Sequence, residues 1–107
     1  MAQTFSTGLF PDIIRFACSA TPGNLTEVVI PEGTTVVTVL FDTDDGYVAT
    51  TGTDGAAIGS DYFPIVGGGY LELSRANTTP SHSRSISSLY VASTAVSGTC
   101  SVVVEGE

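Results

Sequence analysis

Three carboxylates crowd one short turn. Asp42, Asp44 and Asp45 stand in the stretch DTDDG, directly after an apolar run. Carboxylates at this spacing suit a hard cation such as calcium, with backbone oxygens completing the shell. The helix–loop–helix calcium loop places glycine at its sixth position, whereas here glycine arrives one place early. The expectation is an exposed turn that aspartates favour, with Asp42, Asp44 and Asp45 kept as the metal candidates.

His82 stands between Ser81 and Ser83. A hydroxyl beside an imidazole invites a nucleophile reading, but neighbouring loop residues rarely reach the required geometry. No GxSxG elbow supports it. Cys18 and Cys100 lie near opposite ends of the chain, and with one histidine they lack a recognised zinc spacing. A bridge between them would close most of the domain. Each also sits in an alternating apolar segment, which suits a buried free thiol, and two free thiols are expected. The glycines of TGTDGAAIGS and VGGGYLEL match no phosphate loop, and the chain has no lysine to reach a phosphate. No catalytic residue, enzyme activity or cofactor is expected. A hydrolase would need His82 beside a buried carboxylate and a hydroxyl in a cleft.

The elements that position these residues read as β throughout. VVTVLF, from Val36 to Phe41, is rich in β-branched residues. Val37, Val39 and Phe41 share one face, and Val36, Thr38 and Leu40 share the other. Only one of the six is polar, so a central strand with both faces largely covered is expected. Asp45-Gly46 then predicts a hairpin into a short strand at Tyr47–Thr50. Upstream, Ile14, Phe16, Cys18 and Ala20 alternate with Arg15 and Ser19 in a half-buried first strand. Leu25–Ile30 is the second strand, with Val28 and Ile30 inward. Residues 51–60 have loop composition, with Ile58 as an apolar plug. Pro64 places Tyr62–Val66 at a sheet edge. Tyr70–Leu73 follows, and Arg75 to Arg84 reads as an exposed loop. Ile86–Ser93 and Thr99–Glu105 alternate cleanly and predict a terminal hairpin, with Gly98 at a positive φ.

Seven or eight short strands without a sustained helical period predict an all-β fold. The expected form is a two-layer antiparallel β-sandwich, jelly-roll or Ig-like, with a small β-barrel as the alternative. Residues 1–10 form an N-terminal arm and residues 11–107 one domain. Phe5, Leu9 and Phe10 in and beside the arm, with Tyr47, Tyr62 and Tyr70, are the interface candidates.

Charge limits the partners. Eleven acids against three arginines give −8. That balance repels phosphate backbones and anionic membranes, so neither nucleic acid nor membrane is expected as a partner. Formal charges make up only 13% of the chain, about half the ~25% usual in globular domains. Residues 1–10 lack the basic start and apolar core of a signal peptide, so synthesis in a reducing cytoplasm is expected. Asn24-Leu25-Thr26 and Asn77-Thr78-Thr79 are then chance matches to the glycosylation pattern.

A resemblance bears on function. The segment Tyr62-Phe63-Pro64-Ile65, the glycine-rich turn, Tyr70-Leu71-Glu72-Leu73, and the final SLYVAS…GTCSVVVEG resemble the second half of many small structural proteins of tailed bacteriophages. Cys100 stands where those chains more often carry a valine-like residue. The resemblance implies a virion component without catalysis, made in the host cytoplasm. It implies foremost a head decoration or cement protein, often trimeric, that braces the lattice of the major capsid protein. Neck, tail or fibre parts are the neighbouring alternative. The rival from another class is a carbohydrate-binding module, calcium-assisted, that uses the middle tyrosines and the acidic turn.

Overall fold

The computed structural model describes residues 2–5, 10–77 and 87–106, with the side chains of residues 75–77 left aside. Eight strands form in chain order: β1 (Asp12–Ala17), β2 (Thr26–Val29), β3 (Thr34–Phe41), β4 (Gly46–Ala49), β5 (Phe63–Ile65), β6 (Tyr70–Asn77), β7 (Ser88–Ser93) and β8 (Thr99–Gly106). They make two four-stranded antiparallel sheets, ordered β1-β8-β3-β6 and β2-β7-β4-β5. This is a two-layer β-sandwich and not a closed barrel. The strand order, in which the chain alternates between the sheets, is that of an eight-stranded jelly roll.

Alternation explains the core. Val37, Val39 and Phe41 of β3 and Cys100, Val102 and Val104 of β8 point from one sheet. Val28, Val48, Leu89 and Val91 answer from the other, and all of these side chains are buried. Each contributes about 1.5–3 kcal/mol through apolar area removed from water. Thr34 is wholly enclosed, and its hydroxyl is satisfied by donating to the Pro31 carbonyl at 2.7 Å.

The central position expected for the Val36–Phe41 stretch holds, since β3 lies between β8 and β6. The covering of both its faces does not. Val36 and Thr38 are half-buried and Leu40 is 37% exposed, because among the described residues no layer packs outside this sheet.

Both expected hairpins are also corrected. β3 and β4 belong to different sheets, as do β7 and β8. The turns at 42–45 and 94–98 are arches that carry the chain across the core. Among the described strands, six of seven successive pairs lie in different sheets, the exception being β4 and β5. The positive φ falls on Ser97 (52°) and not on Gly98. Gly98 is required for another reason: a side chain there would run into Ser93.

β6 extends to Asn77, so residues 75–77, expected at the start of an exposed loop, lie in a strand. Leu9, Thr78, Thr79, Pro80, His82 and Arg84 lie outside the described residues. Pro64 does occupy an edge, on β5 beside β4. Ile58 is half-buried, and its N–H donates to the Gly23 carbonyl at 2.9 Å.

Candidate functional site

The acidic turn is built into the arches. The Asp42 carboxylate accepts from Arg15 Nη2 at 2.9 Å, with side chains 60% (Arg15) and 49% (Asp42) exposed, so the pair contributes little to stability. Asp45 Oδ1 accepts from the Gly67 N–H at 2.7 Å, and the Asp45 carbonyl accepts from the Thr94 N–H at 3.0 Å. Asp42 and Asp45 thus serve different partners. Among the described residues, no group of three or more His, Cys, Asp or Glu side chains is placed to hold a metal ion. Asp42, Asp44 and Asp45 are close in sequence, but their carboxylates are not gathered around one point.

The tyrosine candidates separate. Tyr47 on β4 and Tyr62 before β5 meet edge to face, with ring centroids 4.7 Å apart. Phe63 and Val66, at and just after β5, are also exposed, with Phe63 opposite Val48 and so on the core-facing side of the edge strand. A shallow open depression of about 290 Å³ lies beside it, lined by Asp45, Tyr47, Pro64 and Val66 among others. Tyr70 is 66% exposed but stands on β6, in the other sheet. Phe5 and Phe10 pack against the core as half-buried caps and do not project as a free patch.

The cysteines are free and buried. Cys18 leaves the end of β1 beside β8, its N–H donating to the Gly98 carbonyl at 2.8 Å. The neighbouring Cys100 thiol holds the Cys18 pKa below its ordinary value. Contact with Cys18 and burial together push the Cys100 thiol up. With both side chains enclosed, neither thiol is presented to a substrate. The Ser88 hydroxyl donates to Glu27 Oε2 at 2.7 Å, a cross-strand bond between β7 and β2.

The four sheet edges differ most. The outer edge of β2 is sealed. The Leu25 N–H donates to the Ala56 carbonyl at 2.7 Å, and the Gly55 N–H returns to Leu25 at 2.7 Å. Asp54 Oδ1 accepts from the Glu27 N–H at 2.8 Å, which holds its carboxyl below the usual range. Gln3 bonds Glu27 and Val29 as an isolated parallel bridge. The opposite edge, β5, has three residues, one of them proline. These are the standard devices against unwanted pairing.

The other sheet shows no such seal among the described residues. Among the described residues, no strand pairs with the outer side of β1 or β6. Ile14 and Phe16 on β1, and Leu71 and Leu73 on β6, are core-facing yet only partly buried. Sequence reading found the alternation of both strands but not their shared status as edges. That status depends on strand order, which local pattern does not encode.

The chain matches no protein-family model, no curated protein and no solved structure.

Proposed function

We propose that this protein is a non-catalytic virion structural component, a head decoration or cement protein of a tailed bacteriophage. In this reading it is made in the host cytoplasm, assembles as a homo-oligomer with a trimer favoured, and braces the major capsid protein lattice. The observation that carries the reading is a jelly roll finished at the edges of one sheet and, among the described residues, unpaired at both edges of the other. Jelly rolls recur in viral capsid proteins, which is support by fold analogy. Open edges supply the backbone groups by which β domains extend into one another. The net charge of −8 favours a protein lattice over packaged nucleic acid as the contact.

The test is co-sedimentation of the purified protein with expanded phage heads that lack decoration. Saturable binding at symmetry-related lattice points is expected. Binding to isolated tails or necks but not heads would move the assignment to those parts. Absence from every virion fraction would overturn it.

A second reading, a carbohydrate-binding module, is favoured by the Tyr47–Tyr62 pair beside the open depression, since lectins also use this topology. Saturable binding to a glycan panel, strengthened by calcium and lost in Tyr62→Ala, would establish it.

A further inference from the structure

The two open edges fit each other. β1 and β6 border the same sheet, and every neighbouring pair between them is antiparallel. β1 therefore runs opposite to β6. If β1 of a second copy lies against β6 with its inner face on the same side, the new pair is antiparallel as well, and the ladder continues without a flip.

Hydrogen-bonding parity narrows the register. Cys18, just after β1, donates to Gly98, just before β8. The register places Phe16 and Ile14 two and four residues back, so their backbone groups also face β8 and those of Arg15 and Ala17 face outward. Gly69 accepts from Phe41 next to β3, so Leu71 and Leu73 face β3, and Tyr70, Glu72 and Ser74 face outward. An outward residue must meet an outward residue. Among the registers that allow this, placing Arg15 opposite Glu72 also joins opposite charges. It sets Ile14 against Leu73 and Phe16 against Leu71, the four partly buried core residues of the edges. Ala17 then meets Tyr70, and Ile13 meets Ser74.

We propose that β6 of one copy pairs antiparallel with β1 of a second copy, Glu72 opposite the partner's Arg15, so that the β1-β8-β3-β6 sheet runs on from molecule to molecule. Pairing completes the burial of Ile14, Phe16, Leu71 and Leu73 and uses backbone groups that the isolated domain leaves to water. Arg15 exchanges an exposed ion pair with Asp42 for one at the junction, a change of small cost. The contact is head-to-tail, so it generates a ring or an open chain and not an isolated two-fold dimer. The inference rests on the assembly reading above and names the partner.

Light scattering and sedimentation over a concentration series test it, with circular dichroism as the check on folding. The wild-type protein is expected to self-associate. Glu72→Arg and Arg15→Glu should each weaken association by on the order of tenfold or more, through like charges at the junction, and the double variant should recover it. Hydrogen exchange on the wild-type protein needs no variant: the Arg15, Ala17, Tyr70, Glu72 and Ser74 amides should exchange more slowly in the assembly. A protein that stays monomeric at its highest soluble concentration overturns the inference. So does an oligomer whose amides on these strands exchange as in the monomer, or one that ignores both charge reversals. Head binding by a strictly monomeric protein would overturn this inference and the homo-oligomer part of the reading above while leaving the decoration role standing; self-association without binding to any virion part would overturn the decoration role alone.

Discussion

Gly67 donates its backbone N–H to Asp45 Oδ1 at 2.7 Å, so a carboxylate in the β3–β4 arch holds the β5–β6 arch in place. The Asp45 carbonyl meanwhile accepts from Thr94 in the β7–β8 arch. One residue thus fastens three crossings at one end of the sandwich. Asp45→Ala should lower stability by about 1 kcal/mol, read as an earlier urea midpoint with an unchanged slope. Asp45→Asn, which keeps an acceptor, should lose less, and Asp44→Asn should lie within about 0.5 kcal/mol of the wild type.

Two glycines are needed for space. An added Cβ at Gly46 would enter the Phe41 ring, and one at Gly98 would meet the Ser93 side chain. Phe41 and Ser93 are both buried, so neither has room to withdraw. Gly46→Ala and Gly98→Ala should each cost about 1–3 kcal/mol as overpacking. Gly59→Ala, where nothing stands near the new Cβ, is the control expected to be close to neutral. Thermal melts of the three variants give the comparison.

Asp54 predicts an acid-side dependence. The Glu27 N–H donates to its carboxylate and lowers its pKa in the folded state. A depressed carboxyl contributes stability above its unfolded pKa, and the contribution is lost as pH falls through the lower folded value. The contact is near solvent, so screening keeps the effect small. Stability of Asp54→Ala against wild type should differ at neutral pH and converge at low pH. A constant difference across that range would show that ionisation of Asp54 plays no part.

Cys100 predicts the opposite limb. Its thiol is held protonated by contact with Cys18 and by burial, whereas the unfolded chain ionises near the ordinary thiol pKa. A raised folded pKa means that the stabilisation is complete below the unfolded value and is lost as pH rises above it. Cys18, whose folded pKa is lowered, acts with the opposite sign below the ordinary thiol pKa. In denaturant midpoints measured from neutral pH to the onset of tyrosine ionisation, the fall due to Cys100 should therefore begin only above that value, and should be absent when both cysteines are replaced by alanine. Thiol labelling of the native protein should be slow and should accelerate in parallel with unfolding, since both side chains are buried.

The strands and their inward faces were legible because period-two alternation is local. Thr99 to Glu105 places Cys100, Val102 and Val104 inward by sequence alone, and all three are fully buried. The pairing was not legible. Asp45-Gly46 and Gly98 mark where the chain turns, but turn chemistry does not say whether the next strand joins its neighbour or crosses the core. The same limit split the tyrosines. Tyr47 and Tyr62 share a sheet edge through the β4–β5 pair, while the crossing at 66–69 carries Tyr70 to the opposite sheet. The carboxylates of the acidic turn were legible as a cluster in sequence, but the separate tasks of Asp42 and Asp45 were not. Their separation depends on Arg15 of β1 and Gly67 of the β5–β6 arch.

The placement of β8 between β1 and β3 also orders events in time. During synthesis, β1 emerges first and finds no partner in its own sheet until residues 99–106 have followed it out. The sheet with the open edges is therefore the one whose middle is filled last, and β1 waits through most of translation with its apolar face unpaired. Non-local pairing of this kind folds slowly. It also leaves the waiting strand exposed to other chains during that interval.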